Sequence, residues 1–392
     1  LLFNAVIDWA LASTDSELGV EVGDEKIRWM AYADDIILLT RSDAGALTLL
    51  SQLEAALLDA GLALNPAKSA SFRMQVDRKA KRWVVNPNSY LSSSITGEQL
   101  PAMTVKSVYT YLGVGFTGEG TVSTVKSSLV NGLMNLKQAP LKPQQRTYLL
   151  RTILIPKLFH ELVFDGRMRA KHLKELDVLI RTAVREWLRL PHDACVGVFH
   201  ARIAAGGLGI PRLQFEIPVM RKERMERLAA SEDPVIRYMA LHSTTFSNAL
   251  RKCGQFRGGD GLIPSTKANI TKNATHELYK AVDGRGLHQH SLVPSVHNWV
   301  GSGTALLTGR AYVHAIQLRS NLLTTKLRQS RGRSAANTHC DACGRVEALG
   351  HILQVCPKTS FERNGRHDRI VRYVNSVCTK RHHSVLVEPA IP

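Results

Sequence analysis

The chain has 392 residues, 44% of them apolar, and a formal net charge of +18 at pH 7. This size allows two or three domains with packed cores, and no apolar run reaches the roughly 18 residues that a membrane span needs. We therefore expect an intracellular protein without a membrane partner, and the positive charge favours a polyanionic one.

The charge is distributed unevenly. Residues 1–60 contain 3 Lys or Arg against 11 Asp or Glu, whereas residues 310–392 contain 14 against 5. The acidic beginning suits cations, and the basic end suits phosphates. Three of the six cysteines lie between positions 340 and 356, a clustering that favours metal ligands over a secreted disulfide framework.

The first 120 residues predict an α+β segment. An apolar helix is expected over residues 1–11, followed at residues 27–39 by two apolar strands that are joined by a turn containing Asp34 and Asp35. A helix follows, and Asp43 is its expected N-cap. Beyond this helix the pattern predicts a short strand at 62–64, a polar, turn-rich stretch at 77–104 and a β-type run at 108–116.

From about residue 122 the apolar period becomes helical, and it remains so as far as Leu188. Residues 206–211, Gly-Gly-Leu-Gly-Ile-Pro, predict a turn rather than a phosphate loop, because no Gly-Lys-Ser or Gly-Lys-Thr follows. Residues 232–300 show weak periodicity, and a helix is expected again at 305–327. An all-helical region therefore follows the α+β segment.

Asp34 and Asp35 are the candidate catalytic residues. Template-directed nucleotide addition needs two divalent cations about 3.5 to 4 Å apart, and adjacent carboxylates at a tight turn can present oxygens to them. An Asp-Asp pair alone is usually a solvated turn, but apolar runs on both sides make this an unusual place for two charges. We expect these carboxylates to bind magnesium or manganese.

Residues 32–35, Tyr-Ala-Asp-Asp, resemble the central catalytic motif of the reverse transcriptases. Residues 1–4, Leu-Leu-Phe-Asn, are similar to the segment of that family that contacts the template and the incoming nucleotide. Residues 61–65 together with Lys68 resemble the next motif, whose lysine is thought to assist pyrophosphate departure as a general acid. The resemblance implies a catalytic role for Lys68, and the alternative is a solvated lysine beyond a strand.

Tyr111, Leu112 and Gly113 resemble the primer grip of the same family. The four motifs stand in the family's order, which implies an RNA-directed DNA polymerase that uses deoxynucleoside triphosphates and an RNA template. The family's third carboxylate precedes all of them, and Asp8 is a poor substitute because its surroundings predict helix. We therefore expect the chain to be a fragment of a longer polyprotein and to be inactive alone.

The second candidate site is a cluster of soft metal ligands near the end of the chain. A Cys-x2-Cys pair makes one edge of a tetrahedron around zinc, and a His-x4-Cys pair makes another. His339 and Cys378 are less favoured alternatives. The predicted zinc ligands are Cys340, Cys343, His351 and Cys356.

The spacing of these ligands resembles the zinc knuckle of non-LTR (type-1, LINE-like) retrotransposons that insert into ribosomal RNA genes and carry a restriction-like endonuclease. Residues 206–210 and 319–326 fit the same group, and residues 365–368 resemble the approach to its endonuclease. The resemblance implies target-primed reverse transcription in the nucleus, at the site of integration, with element RNA and target DNA as partners. The endonuclease core is expected beyond residue 392, so no nuclease residue is assigned.

A basic arm precedes the ligand cluster. With a zinc knuckle following at once, we expect this arm to contact template RNA or target DNA through phosphates. The alternative is an ordinary solvated face. The arm consists of Arg310, Arg319, Lys326, Arg328, Arg331 and Arg333.

The predicted organisation is therefore the C-terminal half of a reverse-transcriptase palm, an all-helical thumb and linker, and a small zinc knuckle. The alternative function is a non-catalytic, nucleic-acid-binding relic in which the palm is only a scaffold. A zinc-dependent hydrolase is excluded, because the knuckle fills all four coordination positions with protein ligands. The expected domains are a palm at 1–118, a thumb at 119–205, a linker with the basic arm at 206–335, a CCHC zinc knuckle at 336–360 and the start of an endonuclease at 361–392.

Overall fold

The computed structural model describes residues 2–79, 81–87, 91–118, 120–165, 169–244, 266–302, 307–331 and 337–387. The chain folds into two compact units. The first consists of Leu1–Leu141, Arg146–Ala183 and Ile210–Asn273, and the second consists of Lys142–Gln145, Val184–Gly209 and Ala274–Pro392. In the described part of the chain, no helix combines the length and the apolar character that crossing a membrane requires.

The first unit contains eleven described strands, all of them short and antiparallel where they pair. Four hairpins are formed by β1–β2, β3–β4, β5–β6 and β7–β8, and a three-stranded sheet has the order β11-β10-β9. The strands are β1 (Val20–Val22), β2 (Glu25–Ile27), β3 (Trp29–Tyr32), β4 (Asp35–Leu38), β5 (Met74–Asp77), β6 (Arg82–Val85), β7 (Leu91–Ser92), β8 (Gln99–Leu100), β9 (Tyr109–Tyr111), β10 (Val114–Thr117) and β11 (Gly120–Val122).

Fourteen α-helices are present in the described residues. A π-helical turn, Leu150–Leu154, joins two of them. They are α1 (Leu2–Ala12), α2 (Asp43–Asp59), α3 (Val125–Gln138), α4 (Pro143–Leu149), α5 (Ile155–Phe164), α6 (Ala170–Leu188), α7 (Val196–His200), α8 (Leu213–Ala229), α9 (Pro234–His242), α10 (Lys267–Lys280), α11 (Trp299–Ser302), α12 (Gly309–Arg319), α13 (Lys326–Gln329) and α14 (Ser360–Lys380).

Helices α1 and α2 form the core beneath the β3–β4 hairpin. Their apolar faces share one buried cluster, and Trp29, Ile36 and Leu38 of the hairpin pack against it. The N-cap of α2 is Ser42, whose Oγ accepts a hydrogen bond from the Gly45 N–H at 3.1 Å. The sequence-based choice of Asp43 was wrong by one position, since Asp43 is the first helical residue.

The strand predicted at 62–64 is absent from this described segment. The Leu62 N–H instead donates to the Leu57 carbonyl and the Gly61 N–H to the Leu58 carbonyl, which closes the end of α2 as a Schellman motif. Gly61 has a φ of +73°, which the motif requires. The backbone N–H groups of Gly61 and Leu62 therefore bond to carbonyls at the end of α2 rather than to a neighbouring strand.

The β-type run at 108–116 is a hairpin rather than one strand. Tyr111 pairs with Val114, so Leu112 and Gly113 form a two-residue loop. Both loop residues have positive φ, +47° and +76°, as a type I′ turn requires. The sequence pattern missed the turn because Leu rarely occupies its first position.

In the first unit, a long-range cap fixes the start of α8. The side chain of Asp177 in α6 is fully buried and accepts hydrogen bonds from the Leu213 N–H at 2.8 Å and the Gln214 N–H at 3.0 Å. Burial raises the pKa of Asp177 to about 6, against the opposing effect of these two backbone donors. Arg212, at the N-cap position of α8, provides no side-chain cap of its own.

The second unit is built around α12. Tyr312 is fully buried, and its hydroxyl donates to the Val300 carbonyl at 3.0 Å. The helix predicted at 305–327 ends at Arg319, because Asn321 adopts a φ of +50° and the Leu322 N–H bonds back to the Gln317 carbonyl. The chain then starts a separate short helix, α13, at Lys326.

Candidate metal centres

Asp34 and Asp35 lie at the tip of the β3–β4 hairpin, where the sequence predicted a turn. Tyr32 pairs with Asp35, so Ala33 and Asp34 form a two-residue loop. Ala33 has a φ of +53°, a conformation that costs a residue with a Cβ on the order of 1 kcal/mol. Asp34 is therefore a loop residue, and Asp35 is the first residue of β4.

The hairpin is anchored on one side and open at its tip. Trp29, Ile36 and Leu38 are half-buried against the α1–α2 cluster, whereas Asp34 and Asp35 are exposed. Neither aspartate forms an ion pair within the described ranges. Their oxygens are therefore available to an external cation.

The hairpin containing Tyr111, Leu112 and Gly113 lies near this tip. Burial raises the pKa of the Tyr111 hydroxyl, and the negative charge of Asp35 raises it further. His160 of α5 contacts the Leu112 carbonyl through its Nε2 at 2.9 Å, and this contact helps to hold the loop in place. The sequence did not predict this His160 contact, because 48 residues separate the partners.

Lys68 ends a short 3₁₀ turn, Pro66–Lys68, which the Asn65 side chain caps. Its side chain is exposed and forms no ion pair with Asp34 or Asp35 in the described contacts. Asp8 lies within α1, which confirms the helix expected around it, and its side chain is exposed.

The donor set at the hairpin tip fits a hard divalent cation. Asp34 and Asp35 offer carboxylate oxygens, the ligands that magnesium prefers. Magnesium is usually held by one or two carboxylates, with water and substrate phosphates completing the shell. Two exposed carboxylates with no cationic partner are compatible with that arrangement.

The four predicted zinc ligands do come together in the second unit. Their ligating atoms all lie within 4.8 Å of one another, and the group consists of Cys340, Cys343, His351 and Cys356. His339 and Cys378, the less favoured alternatives, are not part of this group in the described residues.

Two of the six distances between the ligating atoms match the edges of a tetrahedral site. Cys340 Sγ and Cys356 Sγ are 3.7 Å apart, and Cys343 Sγ and His351 Nε2 are 3.4 Å apart. Ligands at about 2.3 Å for sulfur and about 2.0 Å for nitrogen would be separated by about 3.8 and 3.5 Å along tetrahedral edges. The residues therefore fit a zinc ion.

The surroundings of Cys340 favour its thiolate, whereas burial raises the pKa of the Cys356 thiol above its usual value. Hydrogen bonds from the Ala342 backbone N–H and then from His351 lower the pKa of the Cys340 thiol to about 6. Gly344, at a φ of +68°, returns the chain so that its N–H reaches the Cys340 carbonyl at 2.9 Å. Thiolates are the form in which cysteine binds metal.

The basic arm is largely engaged inside the protein, contrary to expectation. Arg328 is buried and pairs with Asp283 at 2.9 Å and with Asp193 at 3.1 Å. Arg331 pairs with the same two carboxylates, at 3.6 and 3.4 Å. Burial alone would raise the pKa of the Asp193 carboxyl, but Arg328 and then Arg331 lower it below its usual range.

Two more arm residues have internal roles. Lys326 donates to Asp341 at 2.5 Å and to the His339 carbonyl at 2.9 Å, beside the ligand cluster. The guanidinium of Arg319 is buried over the Trp299 ring at 5.4 Å, and burial lowers the pKa of Arg319 to about 10.

These placements correct the prediction for Arg319 and Arg328, whose guanidinium groups are buried and cannot reach a phosphate. Arg310 is exposed and has no ion-pair partner among the described residues. Arg333 lies outside the described residues. The sequence gives no local sign of the acidic partners of Arg328. Only the general rule that a buried cation needs a counter-charge would have suggested that they exist.

Removing Arg328 tests this network. We expect Arg328→Met to lower the free energy of unfolding of the second unit by about 3–5 kcal/mol, because buried Asp283 loses its 2.9 Å partner and keeps only the longer 3.6 Å contact with Arg331. The double variant Arg328→Met/Asp283→Asn should recover part of the loss. Urea denaturation gives the values, and the exposed Arg310→Met is the matched control. A loss no larger than that of the control would contradict a structural role.

Residues 1–116 match the family described as reverse transcriptase (RNA-dependent DNA polymerase). Over its whole length the chain is 33% identical to the Retrovirus-related Pol polyprotein from type-2 retrotransposable element R2DM of Drosophila melanogaster and covers 36% of it. It is 33% identical, over 95% of its length, to the polyprotein from type-1 retrotransposable element R2 of Nasonia vitripennis and covers 35% of it. A similarly named polyprotein of Popillia japonica is 30% identical over 90% of the chain, which covers 71% of it. The chain thus spans about a third of the first two relatives.

Proposed function

The chain belongs to the reverse-transcriptase-containing Pol polyproteins of R2-type non-LTR retrotransposable elements, and on this premise we propose that it supplies the paired metal-binding carboxylates of an RNA-directed DNA polymerase. The observation that carries the proposal is the β3–β4 hairpin, whose apolar residues are anchored while Asp34 and Asp35 remain open and unpaired. The nearby Tyr111 loop adds support. A non-catalytic relic is less well supported, because the β3–β4 hairpin and the Tyr111 loop lie near each other and the Asp34 and Asp35 side chains are exposed.

The roles of the chain's own residues follow from their chemistry. Bound magnesium or manganese ions would activate the primer hydroxyl and neutralise charge on the triphosphate. Asp34 and Asp35 would hold these ions at the hairpin tip. Lys68 would donate a proton from its ammonium group to the departing pyrophosphate, and the loop at Tyr111, Leu112 and Gly113 would position the primer end.

We also propose the finer domain assignment. Residues 1–118 would form the C-terminal half of the palm, since they contain strands β1 to β10. The helices that follow would form the thumb and linker. The 119–205 boundary does not follow the two compact units, because residues 119–141 and 146–183 group with the palm and residues 184–205 with the ligand cluster.

The cluster of Cys340, Cys343, His351 and Cys356 would hold zinc in a closed structural site. Four protein ligands leave no open coordination position, which fits a folding role rather than catalysis. The partners of the polyprotein would be element RNA, target DNA and deoxynucleoside triphosphates. Its place of action would be the nucleus at the site of integration.

An experiment on Lys68 tests the catalytic proposal. In the polyprotein that contains this chain, we expect Lys68→Ala to reduce RNA-templated primer extension by about a hundredfold, the lower range for a lost general acid. Lys68→Arg should keep more activity, because it retains a cation. Lys106→Ala, at another exposed lysine of the same unit, is the control. Equal rates for Lys68→Ala and the control would remove Lys68 from the site.

A further inference from the structure

Helix α14, which follows the ligand cluster, carries five Lys or Arg. We propose that one face of α14, formed by Arg366, Arg369, Arg372, Tyr373 and Lys380, binds single-stranded nucleic acid. The inference rests on the proposed function only for the nature of the partner. It assigns a surface that the sequence analysis did not identify.

The helix is attached to the ligand cluster by a fixed set of hydrogen bonds. Arg363 donates to the Thr359 hydroxyl at 3.0 Å and to the Cys356 carbonyl, and Thr359 donates to the Ile352 carbonyl at 2.7 Å. Arg366 makes a weaker contact, 3.4 Å, with the Leu353 carbonyl. The first turns of α14 are thereby held against the ligand-bearing segment.

The rest of the helix is exposed or half-buried. None of its 21 residues is buried, and it carries five Lys or Arg against two Asp or Glu, a net charge of +3. Asp368 is 3.4 Å from its neighbour His367, which leaves Glu362 as the other acid. Arg369, Arg372 and Lys380 pair with no carboxylate in the described ranges.

These cations lie on one side of the helix. At about 100° per residue, the five residues of the proposed face fall within about 120° of arc. The distance from Arg366 to Lys380 along the axis is about 21 Å, at 1.5 Å per residue. Such a row can contact several successive phosphates.

Tyr373 indicates which kind of nucleic acid fits. Its side chain is 71% exposed although it lies among the cations of the face. An accessible aromatic ring between cations is the pattern of single-strand binding, because unpaired bases stack on the ring while phosphates meet the charges. A duplex offers phosphates but keeps its bases stacked internally, so it would leave Tyr373 unused.

The charge contribution is tested with the full chain and a fluorescein-labelled 20-nucleotide single strand, read by anisotropy. We expect Arg369→Ala/Arg372→Ala to weaken binding about tenfold near 0.15 M salt and to reduce the slope of log Kd against log salt by about 1.4, since each phosphate contact on a single strand contributes about 0.7. Lys171→Ala/Lys174→Ala, which removes two exposed charges from α6, is the matched control. An equal loss in the control would overturn the assignment to α14.

The stacking contribution is tested with two variants of Tyr373, one that lacks only the hydroxyl and one that lacks the ring. Tyr373→Phe should bind as the unmodified chain does, whereas Tyr373→Ala should weaken single-strand binding by about fivefold or more, the lower end for one stacked base. Helix content by circular dichroism confirms that α14 persists in each variant. An unchanged affinity for Tyr373→Ala, or tighter binding of a 20-base-pair duplex than of the single strand, would overturn the proposal. No nucleotide is added, so a failure of polymerisation cannot produce either result.

Discussion

Replacing Asp34 and Asp35 with Asn is expected to reduce RNA-templated DNA synthesis by at least about a thousandfold. The two carboxylates would supply ligands for ions that stabilise the transition state by several kcal/mol, and each 1.36 kcal/mol corresponds to a tenfold change in rate. Both side chains are exposed at a hairpin tip, so the change leaves the anchoring residues Trp29 and Leu38 in place. RNA binding should therefore stay within about twofold, because few phosphate contacts depend on this acidic tip.

The control for this prediction removes the same charge from a neighbouring hairpin. Asp24→Asn/Glu25→Gln alters exposed acids at the β1–β2 turn and should leave synthesis nearly unchanged. Primer extension by the polyprotein, at saturating template and with magnesium or manganese, gives the rates. Near-normal synthesis by the Asp34 and Asp35 variant would show that other residues hold the ions.

The positions of the two candidate metal centres could be predicted from sequence because each depends on local order. Asp34 and Asp35 are adjacent and lie between apolar runs, so only a turn could expose them. Cys340 and Cys343 lie within one turn of chain, and spacing alone restricts them to one edge of a tetrahedron. The structure brings all four predicted ligands together.

The ion pairs of Arg328 in the basic arm could not be predicted, because its partners are distant in sequence. Arg328 meets Asp193 across 135 positions and Asp283 across 45, and no local pattern marks either pairing. Hairpins within the first unit were missed for a related reason. A turn such as Leu112–Gly113 is defined by backbone angles that the apolar pattern around it conceals. Long-range pairing and backbone conformation are settled by tertiary packing, which a pattern of residue types does not contain.

Cys343→Ser is expected to release the metal and to unfold the ligand-bearing segment. In residues 337–360 the buried side chains are three of the four ligands, Cys340, His351 and Cys356, so this segment has almost no apolar core of its own. Metal binding must then supply most of its folding free energy, which for structural zinc sites is on the order of 10 kcal/mol.

The measurements are zinc content and hydrogen exchange. The unmodified chain should hold about one zinc, as a closed four-ligand site does. Cys343→Ser should lose most of it and lose amide protection in residues 337–360, while α2 in the other compact unit keeps its protection. Cys378→Ser is the matched control, since Cys378 is a half-buried cysteine outside the ligand group. Less than about half an equivalent of zinc in the unmodified chain, against the one that four ligands imply, would contradict the site. So would full retention of zinc in Cys343→Ser.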